Sequence, residues 1–139
     1  MKKLFFDTDV ILDLSIARDI NIDASVKVIN LVENGLFEGH TSSLVFSNIF
    51  YIQRKIIGRD KAIGFLKNLR LLLTVLNVDD LIIQQALESE FSDFEDAIQY
   101  FTATKNNMDC IITRNISDFR KSTMPVYTPT EFLKTFDKR

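Results

Sequence analysis

Two carboxylates, Asp7 and Asp9, interrupt the apolar run LFFDTDVILDL near the start of the chain. A short run such as Leu4, Phe5 and Phe6 suits a strand buried on both faces, and open parallel sheets bind their ligands in the crevice beyond the strands' carboxyl ends. Three further places put polar groups beside apolar segments: Ser43 to Asn48 in SSLVFSN, Asp93 and Asp96 in SDFEDAIQY, and Thr113 to Asp118 in TRNISD. Carboxylates gathered at about 5 Å repel by roughly 3 kcal/mol per pair at an effective dielectric near 20, so a cluster of them calls for a cation. All-oxygen acidic sites favour Mg2+ or Mn2+. Such ions acidify a bound water and clamp the oxygens of a phosphodiester in line, which lets a site without a histidine or thiol nucleophile cut nucleic acid.

Each of these residues also has a plainer role open to it. Asp7 can N-cap the short helix that follows it, Asp118 can cap the turn before Phe119, and Glu95 has capping-box spacing from Ser92. Asp93 interacts favourably with a helix N-terminus. Position favours a site for Asp7, directly after LFF, and for Asp96, set between Phe94 and the apolar pair Ala97 and Ile98. Asp93 shares a face with Asp96 at i, i+3. Thr113 and Asn115 leave a strand end, where they can hold a metal-bound water.

The elements that must carry these groups alternate strand and helix throughout, which predicts a mostly parallel sheet covered on both faces. Strands are expected over 3–6, 36–41, 73–78, 110–113 and 125–127. A short helix with Val10, Ile11 and Leu14 as its apolar side follows the first strand. A second is expected over 24–33, with Asp23 as N-cap and Gly35 beyond its end. Ser42 or Ser43 caps a third, carrying Leu44, Val45, Ile49 and Ile52 inward and ending at Gly58; a fourth covers 60–69, and Asp79 caps DLIIQQALES. Ser92 and Glu95 start the next, with Phe94, Ala97, Ile98 and Phe101 as its apolar face, and Thr128, Pro129 and Glu131 start the last as N-cap, N1 and N3.

Composition narrows the class. The chain has 139 residues, 46% of them hydrophobic, and no Pro/Gly/Ser-rich linker, so one domain over 1–139 is expected. Twelve Phe and no Trp suit a packed interior better than an exposed stacking platform, and 17 basic against 19 acidic residues exclude a global polycation. Contact with nucleic acid would need local patches: Arg54, Lys55, Arg59 and Lys61, or Arg114, Arg120 and Lys121 beside the last acid. The single cysteine, Cys110, and the single histidine, His40, fall inside predicted strands and read as structural. MKKLFF meets an acid too early for a signal peptide and no stretch has membrane-spanning length, so a cytoplasmic protein without a membrane partner is expected.

The segments FFDTDVILDL, TSSLVFSNIFYIQRK, DFEDAIQYFTA, and IITRNISDF followed by PVYTPTEFL resemble the PIN-domain ribonucleases, in order and spacing along nearly the whole chain. The resemblance implies a three-layer α/β/α sandwich with Mg2+- or Mn2+-dependent endoribonuclease activity, often as the VapC-like toxin of a toxin–antitoxin pair. RNA as substrate, an antitoxin protein as partner and a homodimer come with it; for the homodimer, Phe46, Phe50 and Tyr51 exceed what one helix face needs. Carried over by position, Asp7 matches the first metal-binding acid, Asp96 the acid of the later helix, and Asp118 or Asn115 the final polar position. Asp7, Asp96 and Asp118 are thus the expected catalytic and metal-binding set, with Asp9, Asp93 and Asn115 as further ligands and Ser43, Asn48 and Thr113 alongside. The glutamate expected in the helix after the second strand falls on Asn48, whose neutral amide coordinates a cation weakly. Asp9 stands where Asn is commoner and can restore the lost charge.

Two other functions remain open to the sequence. An RNA- or protein-binding module that cuts slowly or not at all follows if Asn48 disables the site. A haloacid-dehalogenase-like phosphatase would use Asp7 as nucleophile and Asp9 as acid/base in DTDVI, though no matching lysine and late acidic pair stand out.

Overall fold

Leu4, Phe5 and Phe6 leave no polar face, and the packing follows from that. In the computed structural model, which describes residues 2–15 and 22–137, strands β1 (Lys3–Phe6), β2 (Glu38–Ser42), β3 (Thr74–Leu76), β4 (Cys110–Ile112) and β5 (Val126–Tyr127) form one sheet. Its order is β3-β2-β1-β4-β5 and every neighbouring pair is parallel. The helices are α1 (Thr8–Ser15), α2 (Ile22–Glu33), α3 (Ser43–Ile57), α4 (Arg59–Leu72), α5 (Asp80–Leu87), α6 (Phe94–Lys105) and α7 (Pro129–Asp137), with a 3-10 turn at Ile116–Phe119.

Side chains alternate across the sheet. Leu4, Phe6, Cys110 and Ile112 pack against Val10 and Ile11 of α1, Val28 of α2, Val45 and Ile49 of α3, and Phe132 of α7. Phe5 and Ile111 point the other way, against Tyr100 and Ala103 of α6 and Phe119. Ile82 and Ala86 of α5 pack on Ala97 and Ile98. Both faces are therefore covered, giving the three-layer α/β/α arrangement. Phe5 and Phe6 are fully buried, each worth roughly 2–3 kcal/mol, so the burial that anchors β1 also fixes where Asp7 emerges.

Local chemistry sets the helix ends. Ser42 N-caps α3 by accepting the Val45 N–H, Asp79 caps α5 by accepting that of Ile82, and Thr128 and Glu131 exchange side-chain-to-backbone bonds at the start of α7. Gly35, at φ +80°, closes α2: its N–H reaches the Val32 carbonyl while that of Leu36 reaches Leu31. Gly39 lets β2 pass close to its neighbours, since a Cβ there would lie 2.5 Å from Leu73 Cδ2 and 2.9 Å from Val32 Cγ1.

Several expectations are corrected. The helix α2 starts at Ile22, which puts Asp23 in its first turn instead of at the cap. Asp93, not Ser92, caps α6, because its carboxylate reaches the Asp96 N–H. Ile52 is exposed, since the buried stripe of α3 runs Val45, Ile49, Gln53 and Ile52 lies a residue off it. Phe94, first in α6, stays exposed ahead of the packed Ala97 and Ile98. Phe46 and Phe50 are half-buried, so the apolar excess of α3 reduces to Tyr51, Ile52 and Ile56. Among the described residues no helix is long and apolar enough to cross a membrane.

Candidate active site

The chain leaves β1 toward β2 and β3 on one side and returns to β4 and β5 on the other, so the strand order reverses between β1 and β4. Crevices in open parallel sheets form at the carboxyl ends beside such a reversal. Asp7 stands there. Its N–H donates to the Ile112 carbonyl at 3.0 Å, extending the ladder one residue beyond β1. Its carboxylate accepts the Thr8 N–H at 2.9 Å and the Thr113 hydroxyl at 3.0 Å, so both strand ends hold one acid between them.

Asp9 and Asp96 act on it by charge, and a third acid, Asp118, acts on Asp96. Asp9, in the first turn of α1, accepts the Arg114 N–H at 3.4 Å. Asp96 lies in the first turn of α6, its N–H held by the Asp93 cap at 2.9 Å. Asp118, in the 3-10 turn, is solvent-exposed and close enough for its charge to act on Asp96.

Burial and mutual repulsion dominate the electrostatics. Asp7 is 7% exposed; burial first, then the charges of Asp9 and Asp96, push its carboxyl up to about 8 against the opposing bonds from Thr8 and Thr113. Burial, followed by Asp93, Asp118, Glu95 and Asp9, raises Asp96 to about 7. Asp9 is raised mainly by burial, and Glu95 by burial and then Asp93. Carboxyls pushed up by burial and by one another's charge are groups beside which a cation would be favoured. The donors are all oxygen, the chemistry suited to Mg2+ or Mn2+. Among the described residues no three His, Cys, Asp or Glu side chains converge into a ready-made metal cage.

The remaining expected residues divide. Asn48, half-buried on α3, donates its amide N–H to Glu95 Oε1 on α6. Asn115 is exposed, its side-chain oxygen accepting from Ser117 Oγ at 2.7 Å and its N–H donating to Thr113 Oγ1 at 3.3 Å. Ser43, the first residue of α3, is exposed and Ser42 takes the cap. His40 and Cys110 are buried in their strands; burial lowers the proton affinity of the imidazole and pushes the thiol up to about 12.

Sequence reasoning missed two buried connections. Asp13 of α1, fully buried, accepts from Ser25 Oγ at 3.0 Å and pairs with Arg114 Nη1 at 3.3 Å, so Arg114 braces the β4 exit against α1 instead of belonging wholly to a surface patch. The signal was Asp13 at i+4 from Asp9, inside an otherwise apolar helix face. Ser42 Oγ donates to the buried Gln99 Oε1 at 2.6 Å, tying the start of α3 to α6 one turn beyond Asp96; no local pattern marks that pair.

A family model described as PIN domain matches residues 3–117. Ribonuclease VapC1 of Aquifex aeolicus is 28% identical over 98% of this chain and 96% of its own length. Among solved structures, the Mycobacterium tuberculosis toxin VapC20, which cleaves the sarcin-ricin loop, matches with a TM-score of 0.68 at 17% identity over 85% of this chain and 94% of that one. VapBC2 of Rickettsia felis, bound to a DNA fragment from its promoter, matches at 0.68 and 14%, over 90% and 96%. A Klebsiella pneumoniae toxin–antitoxin complex matches at 0.67 and 21%, over 91% and 97%. At these identities the three structures bear on the fold.

Proposed function

The chain belongs to the PIN-domain family, and from that membership we propose that it is a Mg2+- or Mn2+-dependent endoribonuclease acting as the toxin of a toxin–antitoxin pair. One observation carries the reading: β1 and α6 deliver Asp7 and Asp96 close enough for their charges to act on each other, with Asp7 buried at the strand ends between Thr8 and Thr113. Asp7, Asp96 and Asp118 are the residues proposed to hold the cation, with Asp9 adding charge at the rim. The cation, when bound, supplies a more acidic water and neutralises charge on the phosphodiester.

The protein's own part is positioning. Thr113 orients one Asp7 oxygen and the Thr8 N–H the other, which keeps the carboxylate from rotating away. The Asp93 cap fixes the backbone of Asp96. Ser42 and Gln99 hold α3 against α6, and the Asp13–Arg114 pair holds the β4 exit on α1. The antitoxin is proposed by analogy with toxin–antitoxin complexes that share this fold. Self-association is proposed for the α3 face bearing Tyr51, Ile52 and Ile56, which are 59%, 40% and 60% exposed.

The test is cleavage of a mixed RNA pool in Mn2+, Mg2+ or EDTA, beside Asp96→Asn purified identically. Cutting that needs the metal and disappears in the variant supports the reading. A variant that cuts like the native protein refutes it, and no cutting by either favours the binding module.

A further inference from the structure

We propose that Glu95 is a carboxylate of the cation site and that Asn48 is its positioning residue; this rests on the cation-dependent reading above. The helix that follows β2 brings to the first turn of α6 an amide, Asn48, which carries no charge. That amide donates to Glu95 Oε1 across 47 positions of sequence. Glu95 adjoins Asp96 at the start of α6 and its charge acts on Asp96, so the bond ties a second carboxylate of that turn to α3.

Glu95 is free for this because the capping role its spacing suggests is filled by another residue. Asp93 accepts the Asp96 N–H, and the Glu95 side chain reaches away from its own helix end to α3. A carboxylate offers about four lone-pair sites on two oxygens; one donor from Asn48 orients the group and leaves the rest for a ligand. Outer partners that orient a ligating carboxylate act in this way. The negative charge that Asn48 does not carry is thereby supplied from α6, with the α3 residue as its support.

The experiment is calorimetric titration of Mn2+ into the full chain for the native protein, Glu95→Gln, Asn48→Ala, the double variant and Asp96→Asn, each with a thermal unfolding scan in EDTA. Glutamine keeps the shape of Glu95 and an oxygen for the Asn48 amide. Glu95→Gln is expected to weaken Mn2+ binding at least about tenfold with its unfolding in EDTA no lower than native. Asn48→Ala weakens binding about tenfold, the scale of an outer-partner loss, and in the Glu95→Gln background it costs no more than about twofold further, because its effect passes through Glu95. If Asp96→Asn loses Mn2+ while Glu95→Gln binds within about twofold of native, the acidic site stands and the role of Glu95 is overturned. Independent, additive losses overturn the positioning role of Asn48. A native protein that does not bind Mn2+ overturns both this proposal and the reading beneath it.

Discussion

Replacing Asp7 by Asn in the metal-free protein should stabilise it at alkaline pH, although the same change should abolish cleavage. The unfolded chain releases this proton near pH 3.8 whereas the folded chain holds it up to about 8. A carboxyl whose folded value is raised contributes stability below the unfolded value and loses it as pH rises through the folded one. Metal-free native protein should therefore weaken steadily between about pH 4 and pH 8. At about 1.4 kcal/mol per tenfold change in acidity, the full penalty on the charged form is roughly 6 kcal/mol. Relaxation and water entry reduce such penalties, so about 2–3 kcal/mol is expected from the substitution. Asparagine keeps the size and an oxygen for the Thr8 N–H, and the Thr113 hydroxyl can reverse to accept from the new amide. For a domain of this length about 3 °C of Tm accompanies each kcal/mol, so Asp7→Asn should melt roughly 6–9 °C above the native protein at pH 8 in EDTA. The gap should close by pH 4.5, and saturating Mn2+ should raise the native Tm alone. A variant less stable than native at pH 8, or a gap that ignores pH, would refute the reasoning.

Three other perturbations probe the scaffold. Arg114→Met leaves Asp13 charged at 0% side-chain exposure without that partner, and urea unfolding at pH 7 should register a loss of about 3–5 kcal/mol; a loss under 1 kcal/mol would mean the pair does not brace the β4 exit. Gly39→Ala drives a Cβ to 2.5 Å from Leu73 Cδ2, so overpacking should cost about 1–3 kcal/mol in the same assay; an unchanged midpoint would place β2 farther from Leu73. Thr113→Val removes a donor to Asp7 and should cost about 1 kcal/mol at pH 8 in EDTA, with a smaller effect at pH 4.5, where Asp7 is protonated; an equal effect at both would show that the hydroxyl serves packing alone.

What the sequence determined by itself is local or periodic. The LFF run ending in Asp7, Gly35 closing α2, Asp79 capping α5 and the Thr128–Glu131 box each depend on residues within a turn of one another, and the strand–helix alternation that covers both sheet faces is periodic. Their physics is legible without the fold. At Ser92 the same logic failed, because two cap candidates adjoin there and only the packed position of α6 decides that Asp93 takes the Asp96 N–H. The tertiary structure alone joined Asp7 to Thr113, Asp13 to Arg114, Asn48 to Glu95 and Ser42 to Gln99, over separations of 106, 101, 47 and 57 residues. Hydrophobic periodicity says which face of an element is buried but not which element it meets, and burial, which sets the proton affinity of Asp7 and Asp96, exists only after those elements have met.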